Sequence, residues 1–353
     1  MKDFNRQKVV LLLAGGALGF LLNTLHVPIP YMLGGIVVTF VGKTFVDPKT
    51  GWPAAWRNFM LSIGGCEIGR DCSFETLVNL SNQVFGVLSA TGSIVIVSLI
   101  ASWLTYRMSS VNLISCLMGC APGGMSLMTL MAEEDSRSDM NFVVVAQTLR
   151  FTCVVVSVPF LAMHMIDENA TAVALEHGEL LPWLTMVPLV FIGRFFGKKF
   201  HLPTKQLLGP ILVAAIFSTT VQSFEPAPKL LMSLVQLNLG LYIGTKLEKD
   251  RLLKLRSTLP NLFFGNAVMI ATSVAMAMFL SHTYGFSLIT AFLAMAPGGI
   301  AEMCLAGLSM GADVPQILTY QLFRLLFLNF TLPFAINWYF KKPDDTSPPQ
   351  ATN

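Results

Sequence analysis

The sequence predicts an all-α polytopic membrane protein made of two inverted repeats. Each repeat has about five transmembrane helices plus a broken or re-entrant Pro-Gly-Gly helix. Three observations carry this. Of 353 residues, 54% are hydrophobic and only 12% are charged, about half the ~25% usual in soluble domains. The charged residues stand in short runs between long apolar stretches, and the mean hydropathy is +0.63. The second half of the chain repeats the first at a constant spacing. This composition excludes a soluble globular enzyme and a disordered chain. The net charge of +3 is too small for a nucleic-acid footprint, so no nucleic acid is expected as a partner. The apolar runs are continuous and do not alternate with period two, which argues against a β-barrel.

A membrane helix needs about 20 mostly apolar residues. Segments of that kind cover 8–25, 29–46, 56–70, 83–106, 111–132 and 140–165. The run after MKDFNRQK reads as a first membrane helix and not as a signal peptide, because many equally apolar segments follow. An acidic stretch over 166–181 holds Asp167, Glu168, Glu176 and Glu179. Further apolar segments follow at 182–200, 204–222, 228–246, 260–281, 286–308 and 314–340, before a Pro-rich polar tail. The division expected is therefore repeat 1 over 1–165, an acidic periplasmic linker over 166–181, repeat 2 over 182–340 and a disordered cytoplasmic tail over 341–353. The six cysteines form no CxxC pair, and no histidine lies at metal-ligand spacing. Neither a metal nor another cofactor is expected.

The repeat is read from motifs. His26-Val27-Pro28 recurs as His201-Leu202-Pro203, 175 residues on, and Leu33-Gly34 recurs as Leu208-Gly209. Gly65-Cys66-Glu67-Ile68-Gly69 recurs as Gly240-Leu241-Tyr242-Ile243-Gly244, and Ala121-Pro122-Gly123-Gly124 as Ala296-Pro297-Gly298-Gly299. One deletion later, Gln147-x-x-Arg150 recurs as Gln321-x-x-Arg324. Matches at one spacing across a whole half mark a duplicated unit. Duplicated units, often inverted, are characteristic of secondary transporters. Lys and Arg collect on the cytoplasmic side. Lys2, Arg6 and Lys8, the loop with Lys43, Lys49 and Arg57, the group Arg194 to Lys205, and the run Lys246 to Arg256 therefore read as cytoplasmic. With the acidic linker outside, the first half needs an odd number of crossings. One of its six segments must be broken or re-entrant, and the Pro-Gly-Gly segment is the suspect.

Pro122-Gly123-Gly124 and Pro297-Gly298-Gly299 should each break a helix. The freed N–H groups after each break make an anion site. Ser126 follows the first break. Arg150 and Arg324 lie about ten residues into apolar segments, where a charge is costly. Gln147 and Gln321, three residues earlier, share their helix faces. A guanidinium suits a carboxylate or phosphate ligand, and it equally suits the carbonyls of a broken helix. Glu302, three residues past Gly299, is the acidic side chain most clearly inside an apolar segment. It could carry a coupling proton, coordinate Na⁺ or pair with one of the arginines, and Asn238 is a second ion-coupling candidate. Small-molecule substrate, membrane lipid and H⁺ or Na⁺ are thus the expected partners, and a homodimer is left open.

The segments GCAPGGMSLMTLMAEEDSRSDMNFVVVAQTLRF and MAPGGIAEMCLAGLSMGADVPQILTYQLFRL resemble the two copies of the AbrB duplication of a bacterial membrane protein family. The resemblance runs through Phe340. Members are labelled transporter, regulator or ammonia monooxygenase, and are grouped with the cation:proton antiporter and anion transporter superfamily. That grouping implies inverted repeats with crossed broken helices in the bacterial inner membrane. The monooxygenase label finds no cluster of metal-ligating histidines and carboxylates here. The expectation is a secondary-active transporter of a small organic anion or amphipathic metabolite, not an enzyme. The rival is a non-transporting inner-membrane sensor that affects gene expression.

Overall fold

The computed structural model describes residues 2–72, 83–165, 183–184, 186–221 and 224–339. The expected linker, over 166–181, and the tail, over 341–353, lie outside them. Within the described residues the chain is helical and forms no strand. The first half contains α1 (Lys2–Thr24), α2 (Pro30–Val41) with a π-helical extension (Gly42–Val46), α3 (Ala54–Arg70) and α4 (Val84–Met108). Then come two short helices, α5 (Leu113–Cys120) and α6 (Met125–Glu134), and the long α7 (Met140–Met163). The second half contains α8 (Val187–Lys199), α9 (Lys205–Thr220), α10 (Lys229–Lys246) and the short α11 (Lys249–Lys254). It continues with α12 (Leu259–Tyr284), α13 (Leu288–Met295), α14 (Ile300–Met310) and α15 (Val314–Tyr339).

Five of these are long and apolar enough to cross a membrane: Arg6–Thr24 within α1, then α4, α7, α12, and Val314–Ile336 within α15. Their outward faces carry large apolar side chains such as Leu13, Phe85, Ile96, Phe264 and Phe330. Exposed apolar faces of that extent belong in lipid.

The duplication seen in the sequence is repeated in the helices. The pairs α2/α9, α3/α10, α4/α12 and α5/α13 each begin 175 residues apart. Even the strained backbone recurs. His26 and Ile29 have φ of 56° and 42°, and His201 and Thr204 have φ of 51° and 45°. These are left-handed turns that non-glycine residues rarely adopt. In each, the amide after the His reaches back five residues, from Val27 to Leu22 O and from Leu202 to Gly197 O, both about 3.0–3.1 Å. The His-x-Pro motif is the sequence mark of this turn.

The helices divide into two layers. In one, α2 packs along α10 and α9 along α3, so each half holds a helix of the other. The contacts are glycine-mediated. A Cβ on Gly65 would lie 2.7 Å from Leu207 O, and a Cβ on Gly244 would lie 2.7 Å from Ile36 O. Gly69 faces Ile211 O and Gly240 faces Met32 O still more closely. The two Gly-x-x-x-Gly pairs thus let backbones touch, the usual packing of small residues between membrane helices. The other layer holds α4 to α7 and α12 to α15. A cavity of about 730 Å³ lies between the layers at one end. The opposite end is basic. There Lys8 lies over Trp56, Arg57 and Lys246 over Tyr242, and Lys249 over Phe45. Lys43 donates to Thr245 O and Glu248.

Candidate functional site

Each Pro-Gly-Gly segment interrupts a helix as expected. α5 stops at Cys120 and α6 starts at Met125, while α13 stops at Met295 and α14 starts at Ile300. Each pair folds back on itself. Asp139 N, just past α6, donates to Ser115 Oγ at the start of α5 (2.6 Å). Asp313 N, just past α14, donates to Thr290 Oγ1 at the start of α13 (3.0 Å). The ends of each helical hairpin therefore meet, and its glycine tip points away from them. A single continuous helix over 111–132, or over 286–308, is not what forms.

The Gln–Arg pairs fasten these tips. Gln147 donates to Met118 O (2.6 Å) and Ala121 O (3.0 Å). Gln321 donates to Leu293 O (2.8 Å) and Ala296 O (2.9 Å), the same carbonyls one repeat later. Each glutamine so bonds two carbonyls where the first half-helix ends, and Ala296 O also accepts from Gly298 N (2.8 Å). Its own oxygen accepts from the arginine one turn on. Arg150 Nη2 lies 2.7 Å from Gln147 Oε1, and Arg324 Nη2 bonds Gln321 Oε1. The arginines then diverge from the repeat. Arg324 Nη1 donates to Met295 O (2.9 Å), in its own half. Arg150 Nη1 crosses to Pro297 O (3.0 Å) in the other half. Both guanidinium groups thus serve the carbonyl-rich, negative end of α13. Arg150 Nε is buried without a hydrogen-bond partner among the described residues. A void of about 10 Å³, lined by Arg150, Cys120 and Asn266 among others, adjoins it, close to the space of one water.

Glu302 is 6% exposed, in the first turn of α14. It is in no ion pair among the described residues. The expected option of pairing with Arg150 or Arg324 is therefore not realised. Its carboxyl folds back over Gly299, where Oε2 takes the space a Cβ would fill, and such a Cβ would also lie 2.9 Å from Phe151. A carboxylate at a helix N-terminus is favoured by the helix dipole. The equivalent position in α6 is Leu127, so that helix start lacks such an occupant. Gly124 N makes a long contact to Asn329 Oδ1 (3.4 Å), and among the described residues no side chain caps α6. The Ser126 side chain lies outside the described residues.

Asn238 does not join this group. Its Oδ1 accepts from Trp52 Nε1 (3.0 Å) and its Nδ2 donates to Leu234 O (3.1 Å), within α10 and its surroundings. Sequence reasoning missed Asn329, Gln236 and the Glu67–Arg70–Asp71 group. Glu67 carried the detectable signal, a carboxylate set inside the duplicated Gly-x-x-x-Gly. The others are polar residues at helix positions with no pattern of their own.

A family model described as "Transition state regulatory protein AbrB" matches residues 31–340 of this chain. One relative, from Escherichia coli (strain K12), is named "Putative regulator AbrB". It is 27% identical over 326 residues, covering 90% of this chain and 91% of the relative. Another, from Bacillus subtilis (strain 168), is named "Uncharacterized protein YhjN". It is 27% identical over 358 residues, covering 94% and 93%.

Proposed function

The chain belongs to the AbrB family, and from that premise we propose that it is a secondary-active transporter of a small organic anion or amphipathic metabolite, coupled to H⁺ or Na⁺ and working by alternating access in the bacterial inner membrane. The observation that carries the proposal is the pair of glycine-tipped hairpins, one per repeat, whose tips are held by buried Gln–Arg pairs. Irregular backbone at membrane depth is stable only where protein or a water-lined cavity covers it. Transporters use such breaks as ligand sites.

With the basic end in the cytoplasm, α1, α2, α3, α4 and α7 make five crossings. The hairpin α5–α6 enters from the cytoplasm and returns. The second half runs the other way, and α13–α14 enters from the periplasm. The repeats are then inverted, with tips meeting at depth. The two tips differ in a way that assigns roles. The N-terminus of α14 already holds the Glu302 carboxylate, which suits a coupling ion: protonation or Na⁺ binding there neutralises a buried charge that is in no ion pair among the described residues. The N-terminus of α6 has Leu127 instead of a carboxylate, and among the described residues no side chain caps it, which leaves it for an anionic group. In this reading Arg150, Arg324, Gln147 and Gln321 hold the tips in place and supply positive potential, and the arginines touch substrate only if a carbonyl releases them.

The test is flux of a solute library into proteoliposomes under H⁺ and Na⁺ gradients. A gradient-driven solute is expected, and Glu302→Gln should alter the ion dependence of its uptake. The regulator wording attached to the family description and to one relative names the rival. A chain that moves no solute under either gradient would favour that rival.

A further inference from the structure

The cavity of about 730 Å³ between the two layers lies at the end of the molecule away from the basic loops. Its walls are the outer ends of α3, α10 and α14 and the turn after α1. Three features distinguish it from an incidental gap. First, Gln236 on α10 lines it, is only 8% exposed, and has no hydrogen-bond partner among the described residues. Its carboxamide opens onto the cavity, where water or the polar head of a ligand can bond it. Second, the charges around it balance. Glu67, itself 5% exposed, accepts from Ala227 N (2.9 Å) and lies 3.7 Å from Arg70, whose Nε is 3.0 Å from Asp71. Lys229 stands at the rim, giving two positive and two negative groups. Third, Met232, Leu305 and Leu308 supply an apolar side, and Leu305 is one helical turn from Glu302 on the same face of α14.

We infer that this cavity is the outward-facing binding site for an amphipathic zwitterion of amino-acid to short-peptide size. The two positive and two negative groups cancel, so a ligand with a single net charge would leave the cavity with an uncompensated charge. A zwitterion meets Arg70 and Lys229 with its carboxylate and Glu67 and Asp71 with its ammonium. Complementarity of that kind sets specificity more than affinity. Gln236 bonds the polar head, and the apolar wall takes the aliphatic body. The volume is within the range of small-molecule sites, about 300–1,000 Å³. The inference rests on the transport reading for its outcome, since ligand seated here is one turn from the proposed coupling carboxylate.

The experiment uses the full chain in nanodiscs and measures binding calorimetrically and by thermal shift. The probes are the twenty standard α-amino acids and their homodipeptides, matched with their des-amino acids and decarboxylated amines. At least one zwitterion should bind, and both of its singly charged analogues should bind at least tenfold more weakly. Gln236→Leu should weaken that zwitterion about tenfold. Lys229→Ala, an exposed change that folding tolerates, should weaken it severalfold and so covers the case in which Gln236→Leu fails to fold. Anions or amines binding as tightly as the zwitterions would overturn the inference, as would no binding across the whole panel. The same ligands are then tested for flux. Zwitterion binding without flux keeps this site and removes the transport reading, whereas flux of another solute with no zwitterion binding does the reverse.

Discussion

Replacing Gln147 or Gln321 by leucine keeps much of the side chain's shape but strips two backbone carbonyls of their donors at a helix end. Each change should destabilise the protein by about 2–4 kcal/mol. The two glutamines hold equivalent carbonyls, but Ala296 O keeps Gly298 N as a second donor (2.8 Å), so Gln147→Leu should cost the more, measured as midpoints of thermal unfolding in one detergent. A larger loss for Gln321→Leu would mean that the hairpins do not share this anchoring. The spacing of Gln and Arg was legible in the sequence because a glutamine three residues before an arginine must share its helix face. Their partners were not legible. A guanidinium satisfied by carbonyls leaves no complementary residue in the sequence, since every residue carries a carbonyl. For the same reason a salt bridge to an arginine stayed open for Glu302 beside ion coupling, while the structure sets it on the start of its own helix.

At the scale of elements, the two glycine tips should respond differently to the same change. A Cβ on Gly124 would meet only Asn329 and Leu325 side chains at 3.4–3.5 Å, an ordinary contact. A Cβ on Gly299 would take the place of the Glu302 carboxyl and press on Phe151. Gly299→Ala should therefore act like a Glu302 variant and change the ion dependence of uptake, with Gly124→Ala near wild type. The breaks themselves were legible, because Pro and Gly interrupt helices by their own chemistry. The return of each hairpin was not. It depends on one backbone amide bonding a serine or threonine some twenty residues away, and those residue types are common in membrane helices for other reasons. A second element-scale prediction concerns the clamp between the halves. Burial works to raise the Glu248 carboxyl, but hydrogen bonds from Lys43 and Arg251 outweigh it and hold it below its usual value of 4.5. A lowered carboxylate stabilises the fold above its unfolded value, and that stabilisation is lost as pH falls through the lowered one. Unfolding of the wild type and of Glu248→Gln, compared across pH, should differ at neutral pH and converge in acid.

For the whole molecule, single cysteines at Lys49 and Glu225, both exposed, in a background without other cysteines should label from opposite faces of the membrane. Labelling of both from one face would overturn the proposed topology. Duplication at this scale was the most legible feature of all, since motifs at a fixed spacing survive however far the rest diverges. Which helices of one copy touch the other was hidden, because the Gly-x-x-x-Gly pairs show that a partner comes close without saying which. The answer has a consequence for how such a chain arose. Gly65 and Gly69 receive a helix from the second copy, and Gly240 and Gly244 receive one from the first. Neither copy fills its own groove. If the repeats are inverted as proposed, a single copy with these grooves would be complete only as a pair of identical chains inserted in opposite directions.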